Sequence, residues 1–114
     1  MALDTFVFVI VVPPDADGLP LFKEISAQMS RYIGLSDDQT AEASDLLTRL
    51  VGERLQTGAP VEVTFERPYG DGPLTVDIVG ASLPGDDSLA VDGVTVSSID
   101  GSRSRLRLSW NVRD

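Results

Sequence analysis

The sequence predicts an α+β domain: a two-layer sandwich with two helices on one face of a mostly antiparallel mixed sheet, in the order β-α-α-β-β-β-β. Three observations predict it. Two consecutive stretches between residues 20 and 58 carry apolar side chains at three- and four-residue spacing, the period of a helix buried on one side. Segments 61–65, 74–78 and 103–110 alternate apolar with polar residues, the period of a half-buried strand. Consecutive helices followed by grouped strands segregate the layers, leaving one sheet face to solvent.

Residues Thr5 to Val12 read TFVFVIVV. They are β-branched and aromatic, too short for a helix and stopped by Pro13-Pro14, so they form a strand. The loop Asp15 to Pro20 leads into a first helix with Leu21, Phe22, Ile25, Met29, Tyr32 and Ile33 as its apolar stripe. Gly34 sits where a left-handed C-terminal cap falls. Ser36-Asp-Asp-Gln39 fits a capping box, with Asp37 and Asp38 at the positive end of the helix dipole. The second stripe is Ala43, Leu46, Leu47, Leu50, Val51 and Leu55, and Gly58 ends it.

Val61 to Phe65 and Leu74 to Ile78 form a hairpin around Tyr69-Gly-Asp-Gly72, a turn sequence. A short strand near Leu89 to Val91, a turn at Asp92-Gly93 and a strand from Val94 to Ile99 come next. Asp100-Gly101 then turns the chain into a last strand, Arg103 to Trp110. Val61, Val63, Phe65, Leu74, Val76, Ile78, Leu106, Leu108 and Trp110 are expected under the helices. Glu62, Thr64, Glu66, Thr75, Asp77, Arg105 and Arg107 are expected on the open face, with acids and arginines pairing across strands. No repeat or linker divides the chain, so residues 1–114 read as a single domain.

Composition narrows the chemistry. The 114 residues hold no cysteine and no histidine and carry a formal net charge of −9. Without cysteine there are no disulfides, thiolate zinc sites or thiol nucleophiles. Without histidine the commonest general base and transition-metal ligand is missing. The acidic balance opposes nucleic acid and anionic membrane surfaces as partners. Yet Arg103, Arg105, Arg107 and Arg113 face only Asp114 within the last twelve residues, which makes the final strand basic. The longest apolar run, Phe6 to Val12, falls short of the roughly 20 residues a membrane helix needs. No basic residue precedes it, as a signal peptide would require, so a cytoplasmic location is expected.

The candidate chemical sites are few. Asp15-x-Asp17-Gly18 and Gly85-Asp-Asp87 resemble fragments of calcium loops but lack the closing ligands. Asp-Gly is also a preferred turn pair, which accounts for these residues without a metal. No serine triad is possible, and the stretch Gly80 to Gly85 lacks the lysine of a phosphate-binding P-loop.

The element order, with Ala43-Ser-Asp-Leu-Leu-Thr-Arg-Leu-Val51, the hairpin 61–79 and Ser104-Arg-Leu-Arg-Leu-Ser-Trp110, resembles the histidine-kinase-like ATPase fold in its small anti-sigma-factor serine kinase form. That family's second helix carries a Glu that positions water and, four residues on, an Asn that holds magnesium. The matching positions here are Asp45 and Arg49. A guanidinium offers only donors and cannot ligate a cation, and the single asparagine is Asn111. Gly80-Ala-Ser-Leu-Pro84 stands where the family has Asp-x-Gly-x-Gly, and the loop 80–88 is too short for its ATP lid. The resemblance thus implies a degenerate member that does not hydrolyse ATP. A plain reading of Asp45 and Arg49 is a helix-stabilising pair at i and i+4.

The first strand points to a partner. Phe6, Phe8, Ile10 and Val12 face one way and Val7, Val9 and Val11 the other, so two covers are needed. The helices supply one. The second is either the chain's own N-terminal segment or Pro-rich loop, or another protomer. The expectation is a non-catalytic regulatory protein-interaction module with a protein partner or homodimer through Phe6 to Val12, and with no enzymatic, cofactor or metal site. The alternative is a small-ligand or carboxylate-based enzyme domain using the 80–92 loop, with Asp86 and Asp87 converging on a pocket.

Overall fold

A computed structural model describes residues 5–15, 17–68, 73–83, 95–99 and 102–110. Their elements are β1 (Thr5–Val12), α1 (Gly18–Ile33), α2 (Asp37–Leu55), β2 (Val61–Pro68), β3 (Leu74–Ala81), β4 (Thr95–Ser98) and β5 (Arg103–Trp110). This is the expected β-α-α-β-β-β-β order, with both helices against one face of one sheet. The strands lie in the order β1-β2-β3-β5-β4, and all four pairings are antiparallel. The expected turns at 69–72, 92–93 and 100–101 and the short strand at 89–91 lie outside the described residues.

Sheet order departs from a simple meander at one place: β5 inserts between β3 and β4. The reason is burial. β5 brings Leu106 and Leu108 to the inner face, whereas β4 is four residues long and reads TVSS. The strand with more apolar area takes the covered position, and among the described residues the short polar one is the edge.

The core lies between the helices and the inner sheet face. Val61, Val63, Phe65, Leu74, Val76, Ile78 and Leu106 are fully buried there, against Ala43, Leu47, Leu50 and Val51 of α2 and Phe22 of α1. Trp110, Leu46 and Leu55 are only partly buried at its margin. The helix ends follow local chemistry. Gln39 N–H donates to Ser36 Oγ at 3.1 Å and Ser36 N–H to Gln39 Oε1 at 3.2 Å, the reciprocal capping box. Gly34 adopts φ 118°. Its N–H reaches Arg31 O at 3.1 Å and the N–H of Leu35 reaches Ser30 O at 3.0 Å, a Schellman close. Arg67 Nη1 donates to Ile33 O at 3.0 Å, setting a cation at the negative end of α1.

The face of α1 corrects the predicted stripe. Phe22 and Ile33 are buried, together with Ser26 and Ser30, while Leu21 and Tyr32 are exposed. Ser26 Oγ donates to Lys23 O at 3.0 Å and lies 3.4 Å from Ser44 Oγ of α2. Small side chains with local backbone acceptors let the two helices approach closely, and Gly52 continues that contact. A Cβ on Gly52 would lie 3.0 Å from Leu19 Cδ2.

Candidate interaction surface along the first strand

β1 pairs with β2 in unbroken register from Thr5↔Pro68 to Val12↔Val61 and, among the described residues, has no neighbour on its other side. Its outer edge therefore presents a row of backbone donors and acceptors eight residues long. Natural edge strands are usually blunted by charge, proline or a bulge. This one has none of the three from Phe6 to Val12. On the open face Val7, Val9 and Val11 are 53%, 50% and 60% exposed. The Pro-rich loop does not cover them, since Pro13, Pro14 and Asp15 are themselves exposed. Residues 1–4, the other expected internal cover, fall outside the described residues.

The apolar surface continues into the helix layer. Leu21 is 58% and Tyr32 77% exposed, and Ile25 and Met29 are half-buried. At 100° per residue these four fall within one 80° arc of α1, beside the arc that packs inward. Tyr32 lies over the strand's beginning, its ring 5.8 Å from that of Phe6. At the other end, Ile10, Val12, Leu21, Phe22 and Ile25 line a groove of about 230 Å³. Five of the six exposed large hydrophobic residues described belong to β1 or α1. The strand half of this flank was legible in the doubly apolar run TFVFVIVV. The helix half carries a weaker sequence signal: the stripe Leu21 to Ile33 is wider than one core-facing face requires.

The remaining open face is polar. Register brings Thr64, Asp77 and Arg107 into one row and Glu62, Val79 and Arg105 into the next. Arg107 Nε and Nη2 donate to the two Asp77 carboxylate oxygens at 2.8 and 3.0 Å, the expected cross-strand pairing. The hydrogen bonds and charge of Asp77, with Glu66 adding a smaller attraction, hold the Arg107 guanidinium above its ordinary pKa. At the end of this face Glu62, Gly80, Ala81 and Arg103 line an open groove of about 620 Å³.

Asp15 Oδ1 accepts from the N–H groups of Asp17 and Gly18 at 3.1 and 3.0 Å, so this carboxylate caps the approach to α1 as an Asx turn. Asp86 and Asp87 lie outside the described residues. Among the described residues, no three His, Cys, Asp or Glu side chains group closely enough to hold a metal ion. Asp45 and Arg49 are both exposed on α2, and neither lines the two grooves above. Asp45 meets Lys23 Nζ at 3.9 Å, so its ion pair reaches across to α1 instead of running along α2 to Arg49.

No protein-family model matches the chain, and no curated protein matches it. Among the described residues, no helix is long and apolar enough to cross a membrane.

Proposed function

We propose that this chain is a non-catalytic regulatory module of the cytoplasm that docks a protein along the outer edge of β1. In this reading it is shaped like an anti-sigma-factor kinase domain without a working ATP site. One observation carries the proposal: an uncharged eight-residue edge strand whose valines stay half-exposed. A strand added there gains main-chain hydrogen bonds along the edge, while alternate side chains find apolar contact on both faces. The solvent-facing Asp45 and Arg49 support the absence of magnesium-nucleotide chemistry, because Arg49 has no acceptor to offer a cation.

Two measurements test this. Millimolar Mg-ATP is expected to leave the melting temperature unchanged. Binding at a hundredfold excess over Kd would add about 2.7 kcal/mol, and a clear shift would overturn the nucleotide-free reading. Val9→Lys changes an exposed side chain and is expected to leave the circular dichroism spectrum intact while removing association with the partner that the wild-type chain captures. Retention of that partner by the variant would show that β1 is not the docking edge.

A second reading, a small-ligand or carboxylate-based enzyme domain using the 80–92 loop, is favoured by the groove beside Gly80 and Ala81. Its volume of about 620 Å³ matches ligand sites of roughly 300–1,000 Å³. A small molecule that raises the melting temperature of the wild-type chain but not of Glu62→Ala would establish it.

A further inference from the structure

We infer that the occupant of the β1 edge is a second copy of this chain, related by a two-fold axis that joins both layers at once. The inference rests on β1 being the docking edge and names what docks there. A two-fold axis perpendicular to the sheet and beside its edge strand makes the two β1 strands antiparallel and keeps both helix layers on one face, which extends a sheet already antiparallel in every described pairing. Centred on Val9, this register sets Val7 against Val11, Phe8 against Ile10 and Phe6 against Val12 of the second copy. Every contact is apolar on apolar, and no charge of this −9 chain is brought against its like within the strands. Phe6 of the second copy arrives beside Val12, where the groove of about 230 Å³ between Val12, Leu21, Phe22 and Ile25 is open.

The helix layer obeys the same axis. Tyr32 stands over Phe6, and the three residues from Phe6 to Val9 rise about 10 Å. That rise corresponds to roughly six or seven helical residues, which puts the level of Val9 near residue 26 of α1. The apolar arc from Leu21 to Tyr32 is centred at the same level. Two copies of α1 then lie antiparallel, Leu21 of each against Tyr32 of the other, at a helix–helix spacing of roughly 8–10 Å.

The rim of this arc is self-complementary in charge. On the solvent side of Leu21 and Gln28, the helical wheel places Glu24 and Arg31 in one row. Reversal of the second helix sets Glu24 of each copy within about 3 Å, along the axis, of Arg31 of the other. In the single chain, among the described residues, Arg31 has only a 3.9 Å contact with the exposed Asp37, a weak pairing that a closer carboxylate would displace. A partner of unrelated sequence has no reason to repeat this reversed order of charge, whereas a second copy does so by symmetry.

Sedimentation equilibrium of the full chain tests the inference. The wild type is expected to form a species of twice the 12.2 kDa protomer mass at micromolar concentration. Val9→Lys, Glu24→Arg and Arg31→Glu, all at exposed positions, are each expected to weaken it by about tenfold or more. The double variant Glu24→Arg/Arg31→Glu is expected to recover wild-type affinity, because the exchange preserves the cross-helix pair. A monomeric wild type at hundreds of micromolar would overturn the second copy alone, leaving the docking edge to the partner-capture test above. A dimer indifferent to Val9→Lys would place the contact between copies elsewhere and overturn the inference, again leaving the docking edge to the partner-capture test. One sensitive to Val9→Lys but without rescue in the double variant would overturn the helix-layer contact and its register.

Discussion

Gly18 opens α1 where the chain doubles back on itself, and its missing side chain is what permits the turn. A Cβ there would stand 2.6 Å from the Pro13 carbonyl oxygen, a backbone atom that cannot swing aside. Gly18→Ala is therefore expected to cost about 1–3 kcal/mol, read as a lower denaturation midpoint at unchanged m-value. Asp-Gly at 17–18 announced a turn, but the close approach to Pro13 depends on how β1 feeds the helix and is invisible in local sequence. Gly34 and Ser36 were legible for the opposite reason, since their partners lie within five residues. The Asp77–Arg107 pair has a simple pH consequence on the arginine side. The folded-state pKa is raised, so this contribution is complete below the unfolded value and is lost only above the folded one. Both lie beyond the working range, so the contribution is constant near neutrality and adds no pH dependence there.

At the scale of elements, α2 buries the stripe its period predicts, but not to a uniform depth. Leu47 is fully buried while Leu46, its neighbour in the predicted stripe, is only partly covered. Leu47→Ala is expected to cost about 2–5 kcal/mol, and Leu46→Ala distinctly less, in parallel denaturant titrations. Equal losses would mean that α2 is rotated relative to the sheet. In α1 the apolar residues number more than the core accepts. Serines at 26 and 30 occupy the inward row because the α1–α2 contact needs small side chains, and this turns Leu21 and Tyr32 outward. Periodicity reports which residues share a helix face. It does not report which of two adjacent arcs meets the second helix, because that choice is made by the partner surface.

For the whole molecule, charge is arranged by topology as much as by composition. The insertion of β5 beside β3 puts Arg105 and Arg107 next to Val79 and Asp77, so the basic strand is embedded in an acidic sheet. The rest of the −9 charge opposes compaction. Raising salt from about 10 mM to about 1 M shortens the screening length from roughly 30 to 3 Å. This is expected to raise the melting temperature by about 2–5 °C, the equivalent of somewhat under 1 kcal/mol. A fall would mean that the open-face ion pairs outweigh general repulsion. The resemblance to anti-sigma-factor kinases remains part of the functional proposal, since it rests on element order and on no shared catalytic residue.

What the sequence determined by itself was everything governed by near neighbours: the seven elements of the described residues, the caps at Gly34 and Ser36, the inner and outer faces of the long strands, and the doubly apolar character of β1. Only the tertiary structure decided that β5 would be interior, that Tyr32 and Leu21 would join Val7, Val9 and Val11 on one flank, and that β1 would stand at the edge. The physical reason is common to all three. Alternation and helical period state how much apolar surface an element must cover, but competition among all the elements for one core determines which surfaces are covered and which remain for a partner.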